Sequence, residues 1–510
     1  MITRKHPVYP DKKGFLDTIK SSEKVAFPPL YVELPYRSPY YIYEALRSEG
    51  SILLESIKGT ERIARYSFVA FEPFMEFTAK DGLIEITKDG KKSVSNRRPL
   101  TRLRELLNAY PQRPDPSLPP FQGGLCGLFS YDFVHYLERL PSTTVDDLQI
   151  PDAHFYLYDR LFAFDHAERK CYAIVCPGAR MISFGFNLPF ETLGLGESDY
   201  VEIYDSASEM LEQMVKIAEL TTEAEPPLHI PSKNHSIEIV HEMNMKDYME
   251  MVVRAKEYIR AGDIFQANLS QRLHAEIDPE RLWSLYTILR SINPSPFACY
   301  ADFGSYQIVG SSPERLIKLQ GNEAETRPIA GTRPRRGVEK QDEIMRAELL
   351  LNEKERAEHI MLIDLERNDL GKVCTYGSVG VDELMITEDY SHVIHIVSNV
   401  RGRLVDGRDA FSLVRATFPG GTITGVPKVR CMEIIDELEP TRRGPYTGSM
   451  GYIGFNGNMD LNIIIRTFVI KDSIAYVQAG AGIVADSDPE REYFETLRKA
   501  EALLSTLERL

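Results

Sequence analysis

The sequence predicts an α+β fold, with large, mostly antiparallel sheets packed as a sandwich and helices on the outside. Three patterns lead there. Between residues 51 and 166, short segments alternate apolar or aromatic residues with polar ones, separated by turns such as KDG. That is the period-two signature of half-buried strands. Helical patterns are interspersed among further strands without the regular βαβ rhythm of a doubly wound sheet. A proline-rich, polar, aperiodic stretch, TTEAEPPLHIPSKNHS at 221–236, divides the chain into a β-rich region, 1–220, and a second region, 237–510.

In order, SILLES, RYSFVAFEP, FMEFTA, LIEITK, GGLCGLFSY and FYLYDRLFAFDH read as strands of the first region, which ends on the helical run YDSASEMLEQMVKIAEL. The second region opens on a helix, MKDYMEMVVRAKEYIRAGD, closed by Gly262. Strands IFQANLSQRL, FACYADF and YQIVGSS follow. TRPIAGTRPR at 326–335 then reads as a bend between basic residues, suited to an anion, with the inert Ala330 at its centre. A helix spans about 354–371, and the strands HVIHIVSNVRGRL, GYIGF, LNIIIRTFVI and IAYVQAGAGIV come next. The last helix begins at Asp488-Pro489, where aspartate caps open N–H groups and proline suits the first turn. There is no internal repeat.

Hydrophobic content of 43% and charged content of 26% belong to a soluble globular chain of 510 residues. Sixty basic against 75 acidic residues leave a net charge of −15, a poor footprint for nucleic acid. Small anionic substrates stay open, because a few local arginines can hold them. The start, MITRKHPVYPDKKGF, lacks the apolar core of a signal peptide, and no run reaches the ~18 apolar residues of a membrane span. Six cysteines, at 126, 171, 176, 299, 374 and 431, are scattered without CxxC pairs and read as buried free thiols. The expectation is a cytoplasmic protein that binds neither nucleic acid nor membrane.

Two Glu-x-x-Glu pairs, Glu355/Glu358 and Glu492/Glu495, each place both carboxylates on one helical face. Together they would suit a hard divalent cation such as Mg²⁺. Solvated acidic faces with the same spacing are commoner, and Lys499 stands four residues after Glu495. GGTITGVPK at 420–428 is not a nucleotide phosphate loop, since Val426-Pro427 separate the second glycine from Lys428. AGAG at 479–482 is too short for a dinucleotide fingerprint but lets backbone N–H groups approach a carboxylate, or simply turns the chain. Arg466, in an apolar strand, needs a carboxylate partner from the protein or a ligand. His395 reads as a satisfied core histidine or a proton-transfer group. Glu314, by itself, is an ordinary surface glutamate.

In this order, GSSPERL, RPIAGTRPR, AEHIMLIDLERNDLG, SHVIHIVS, GGTITGVPK, GYIGF and GAGIVADSDPEREYFETLRKA resemble the chorismate-utilising enzymes, and most nearly the large subunits of anthranilate synthases. The resemblance is dense over about 240–505 and reaches the first region through LLES, RYSF and GGLCGLFSYD. It implies a catalytic domain at 237–510 that converts chorismate and ammonia to anthranilate and pyruvate. Glu358 and Glu495 would hold Mg²⁺, supported by Glu355 and Glu492. Arg466, Tyr446 and the backbone of Gly480, Ala481 and Gly482 would hold the enolpyruvyl carboxylate, beside Ala330, Gly331 and Thr332. Glu314 would protonate the departing C4 hydroxyl, with His395 and Thr422 assisting proton transfer.

Glu55, Ser56 and the stretch Asn293, Pro294, Ser295, Pro296, Phe297 resemble a tryptophan feedback site, which would make tryptophan an inhibitor. Phe297-Ala298 stands where tyrosine-methionine is common. No stretch looks like a glutamine amidotransferase, which needs a nucleophilic cysteine on a Gly-rich elbow; ammonia would come from a separate amidotransferase subunit or from solution. Isochorismate and salicylate synthases activate water with a lysine where this chain has Gln266. Aminodeoxychorismate synthases commonly carry lysine in PIKGT, as a covalent nucleophile, where this chain has Ala330. The resemblance therefore favours direct attack by ammonia, with aminodeoxychorismate synthase as the alternative.

Overall fold

The structure, a computed structural model, describes residues 6–21, 25–181, 194–222, 237–335, 338–389 and 393–510, apart from the side chains of Thr332 and Pro334. The expected linker lies outside these residues except for 221–222.

Two sheets, each of twelve strands among the described residues, carry the architecture. The first runs from Leu30–Pro35 through Lys170–Val175, Arg160–Asp165, Tyr66–Ala70, Ile52–Glu55, Phe297–Asp302, Gln307–Ser312, Thr467–Lys471, Ile474–Ile483 and Gln266–Glu276 to Val240–His241. The second runs from Ile329–Pro334 through Val393–Arg403, Glu323–Thr326, Arg315–Gln320, Met459–Asn462, Ser449–Gly454, Gly124–Phe129, Ala153–Tyr158, Met75–Lys80 and Leu83–Lys88 to Lys91–Ser95. Pairing along both is antiparallel. Each sheet mixes strands from both sides of 221–236: Leu54 lies opposite Cys299, and Gly127 opposite Gly451.

A core shared by Ile52, Phe68 and Ile308 of the first sheet and Leu128, Tyr156 and Met450 of the second lies between them. The expected period of two holds near the edge, where Met75–Lys80 alternates buried and half-buried residues. It is lost in Gly124–Phe129, Ala153–Tyr158 and Arg160–Asp165, which are buried throughout. There both faces are covered, so both must be apolar. All six cysteines are buried and free, as expected.

The expected long helices are present as Glu197–Leu220, Met245–Ala261, Glu353–Gly371 and Pro489–Arg509. Gly262 ends the second in the left-handed conformation, φ +83°. The Asp488 side chain accepts the Arg491 N–H and caps the last.

Two expectations are corrected. TRPIAGTRPR is not a free bend: Ile329–Pro334 is an edge strand paired with Val393–Arg403, its register irregular between Ala330 and Thr332, where Gly331 takes φ +60°. LNIIIRTFVI is not one strand. Met459–Asn462 belongs to the second sheet and Thr467–Lys471 to the first, and the chain crosses between them at Arg466, a half-buried residue with φ +50°. A non-glycine residue in that conformation is strained and needs its surroundings to hold it.

A buried ion pair ties the helix Lys428–Leu438 to the first sheet. Arg443 donates to Glu439 at 2.7 and 2.8 Å and to the carbonyls of Asn268 and Ile423; Glu439 also accepts from the Ser270 N–H and hydroxyl. Removing one buried partner leaves the other charge unanswered, at a cost of about 3–5 kcal/mol. Arg443→Met should lose that much stability in chemical denaturation; a loss below about 1 kcal/mol would show the pair to be dispensable.

Candidate active site

Glu314 lies where the chain leaves Gln307–Ser312 of the first sheet for Arg315–Gln320 of the second. This crossing is pinned to the one at Arg466. The Ser311 N–H donates to the Arg466 carbonyl at 3.0 Å, the Ile463 N–H to the Glu314 carbonyl at 2.9 Å, and the Ser312 hydroxyl to the Ile463 carbonyl at 2.6 Å. The Glu314 side chain is buried, not the surface group that the sequence alone suggested. Burial pushes its pKa up to about 7, against the Thr422 hydroxyl that donates to Oε1 at 2.8 Å, the Ile329 N–H, and the charges of Arg466 and Lys499. Thr422 is held there by the short turn Gly421–Ile423. The result is a carboxyl group that carries a proton near neutrality.

His395, on Val393–Arg403, is shifted the other way. Burial, then the charge of Arg466, bring its pKa down to about 3, although its hydrogen bond to the Gly331 carbonyl works against the shift. A carbonyl only accepts, so the Nδ1–H donates to it, at 3.1 Å, and Nε2 is the basic nitrogen of a neutral ring. Register sets Thr332 opposite His395 and Ala330 opposite Ile396. Directly opposed residues share a face, so Ala330 and His395 point to opposite faces, with the Gly331 irregularity between them.

The strand Ile474–Ile483 brings Gly480, Ala481 and Gly482 opposite Ser270, Leu269 and Asn268. A Cβ on Gly480 would lie 2.9 Å from the Tyr446 hydroxyl, and one on Gly482 would collide with the Gln266 amide. Tyr446 and Gln266 thus flank a backbone that only glycine leaves open.

The four metal-candidate glutamates lie on the helices Glu353–Gly371 and Pro489–Arg509, and three of them, Glu355, Glu358 and Glu495, answer a cation. Lys499 bridges Glu495 at 2.9 Å and the Gly480 carbonyl at 3.0 Å; Lys354 reaches Asp486 at 3.0 Å and Glu358 at 4.0 Å; Arg333 donates to Glu355 at 2.6 Å. Burial, then Asp486 and the neighbouring glutamates, raise the pKa of Glu358 against Lys354, and burial raises that of Glu492. Burial acts in the same direction on Glu495, but Lys499, Arg498 and Lys354 outweigh it and lower its pKa. Among the described residues, no three such ligands converge closely enough to hold a metal. The donor set is all oxygen, and Glu355 Oε2 is buried without a hydrogen-bond partner. That open anionic oxygen fits a hard cation. Spacings of four, Lys354–Glu358 and Glu495–Lys499, mark the lysine pairs in sequence, whereas Arg333 gives no such signal.

A cavity of about 490 Å³ lies between the sheets and is lined by Glu55, Ser56, Pro296 and Phe297 together with Arg315 and Tyr452. Tyr286 and Arg290 hold Glu55 at 2.6–2.8 Å. The Ser56 hydroxyl donates to the Pro296 carbonyl at 2.9 Å. The Asn293 amide donates to the Ser311 hydroxyl at 2.9 Å, and the Ser295 carbonyl accepts from Ile57 N–H at 3.0 Å, so both brace the turn that carries Pro294 and Pro296. LLES and NPSPF, 240 residues apart, meet here.

The two antiparallel sheets thus carry a carboxyl whose pKa is raised, a neutral histidine, an arginine and a glycine strand, groups suited to a small anionic ligand. The sequence pattern of the chorismate binding enzyme family matches residues 49–505, and the chain belongs to that family. It is 42% identical over 462 residues to anthranilate synthase component 1 of Acetivibrio thermocellus, covering 90% of each chain. It is also 39% identical to aminodeoxychorismate synthase component 1 of Bacillus subtilis, over 93% of this chain and 96% of that one. The crystal structure of anthranilate synthase component I from Streptococcus pneumoniae superposes with a TM-score of 0.71 at 34% identity, covering 92% of this chain and 97% of that one. The protein is a chorismate-utilising enzyme. Among the described residues, no helix is long and apolar enough to cross a membrane.

The raised pKa of Glu314 has a consequence for stability. The folded protein binds this proton more tightly than the unfolded chain, whose carboxyl has the ordinary value of 4.5. Stability from this group is therefore complete below about pH 4.5 and is lost as pH rises through about 7. Glu314→Gln, which cannot ionise, should gain on the order of 3 kcal/mol over the parent at pH 8 and little at pH 4.5. Denaturation of both proteins at the two pH values checks this; a difference independent of pH would contradict the assignment.

Proposed function

We propose that the protein is the chorismate-binding subunit of an anthranilate synthase, making anthranilate and pyruvate from chorismate and ammonia at the first step of tryptophan biosynthesis. The observation that carries this reading is Ala330: the segment that holds His395 through Gly331 offers no side-chain amine at that position. Ammonia itself then adds at C2 while the C4 hydroxyl leaves as water, taking its proton from Glu314, whose pKa suits an acid near neutrality. Arg466, the Tyr446 hydroxyl and the N–H groups around Gly480–Gly482 hold the enolpyruvyl carboxylate. His395, neutral and with Nε2 basic, assists as pyruvate is eliminated and the ring becomes aromatic. Glu358 and Glu495, supported by Glu355 and Glu492, would hold Mg²⁺, which supplies charge neutralisation for the ring carboxylate when bound. Ammonia reaches the site from glutamine through a separate amidotransferase subunit, or from solution.

A second reading, aminodeoxychorismate synthase, draws on the 39% identity to the Bacillus subtilis protein. The products separate the two. The pure chain with chorismate, Mg²⁺ and ammonium salts should release fluorescent anthranilate, faster at higher ammonia, and none from glutamine. Aminodeoxychorismate in its place would establish the second reading. Ala330→Lys should lose most of this activity without efficient aminodeoxychorismate formation, because nothing tunes the new amine. Full activity in that variant would mean that position 330 faces away from C2, as its register opposite Ile396 allows.

The cavity at Glu55 and Ser56 is read as the tryptophan feedback site. Ser56→Phe should relieve tryptophan inhibition with little change in the uninhibited rate. Unchanged inhibition would remove Ser56 from the site.

A further inference from the structure

The cavity between the sheets is lined by a cation with one nitrogen left open. Of the basic residues that line it, Arg62 is held by Glu325, Asp382 and Glu383 at 2.9–3.2 Å, Arg65 by Asp165 at 2.8–3.2 Å, and Lys318 faces Glu325 at 3.8 Å. Arg315 differs. Its Nε and Nη2 each donate to Asp460 at 2.9 Å, while Nη1 is buried with no hydrogen-bond partner. The side chain is 2% exposed and its Cζ lies 5.3 Å over the Phe297 ring.

A buried charged N–H without a partner is costly, and a ligand that supplies an acceptor recovers that cost. Asp460 already takes two of the guanidinium N–H groups. The vacant nitrogen therefore suits one further anionic oxygen, and a carboxylate matches guanidinium best. Rings of Phe68, Phe297 and Tyr452 line the same space. An aromatic ligand bearing one carboxylate satisfies both features.

Arg315 also directly follows Glu314. Glu314 turns toward Thr422, whereas Arg315 turns into the cavity, and the pairing of this strand with Met459–Asn462 is irregular between Arg315 and Ile317. A ligand seated on Arg315 therefore loads the backbone that positions Glu314. We infer that Arg315 takes the carboxylate of the aromatic amino acid in this cavity and links its occupancy to the adjoining acid. The inference rests on reading the cavity as the tryptophan site.

Calorimetric titration with tryptophan and with tryptophan amide tests it, because the amide lacks the carboxylate. The parent should bind tryptophan roughly 10-fold or more tighter than the amide, as a charge-assisted hydrogen bond is expected to give. In the double variant Arg315→Gln, Asp460→Asn, which removes both charges together, that preference should largely disappear. Saturating tryptophan should also inhibit this variant less, relative to its own uninhibited rate, than it inhibits the parent. A folded double variant with the parent's preference overturns carboxylate recognition by Arg315. Lost preference with undiminished inhibition at saturation overturns the link to Glu314. A parent that binds no tryptophan overturns the reading of the cavity, and the inference with it. Should the double variant not fold, Arg315→Lys retains the charge beside Asp460 without the second fork nitrogen. It should show a reduced preference, and an undiminished one would overturn the assignment.

Discussion

The structure depends on two crossings between sheets that are hydrogen-bonded to each other. The chain passes from the first sheet to the second at Ser312–Arg315, and returns at Ile463–Thr467. Backbone bonds at 2.9 and 3.0 Å lock the two passages together. Each delivers one ionisable side chain, Glu314 and Arg466, to the same region. The left-handed conformation of Arg466 is sustained by this locking, because the strain of a non-glycine residue there must be over-determined by its neighbours. An acid and a cation are thus presented by rigid backbone instead of by a mobile loop.

Burial then assigns their chemistry. The same desolvation that keeps Glu314 protonated near neutrality keeps His395 unprotonated, because it penalises whichever form is charged. Arg466 acts against the shift of the first and with that of the second. The acid and the histidine are therefore both neutral over one range of pH. On the two helices, Glu358, Glu495 and Glu355 are partly answered by Lys354, Lys499 and Arg333.

The crossings also explain why the surroundings of Glu314 and the cavity at Glu55 and Phe297 adjoin. Successive residues of an extended chain point to opposite sides. Glu314 and Arg315 therefore serve two different spaces from one peptide unit. Strands from both halves of the sequence alternate in both sheets, so the cavity at Glu55 and Phe297 is walled by segments far apart in the chain.

Much of this was determined by local sequence. Period-two alternation marked strands such as Met75–Lys80, Gly262 and Asp488-Pro489 marked helix ends, and the ordered motifs marked the family. These signals lie within short windows, where backbone conformational preference is decided. Tertiary structure alone decided the rest. Nothing around LNIIIRTFVI tells that it leaves one sheet and enters another, since both halves are equally apolar. Glu314 looked exposed because its partner, the Thr422 hydroxyl, lies 108 residues away in sequence. The edge strand at Ile329–Pro334 was hidden because its partner, Val393–Arg403, lies about 65 residues away, and hydrogen-bond partners at that distance leave no periodic trace.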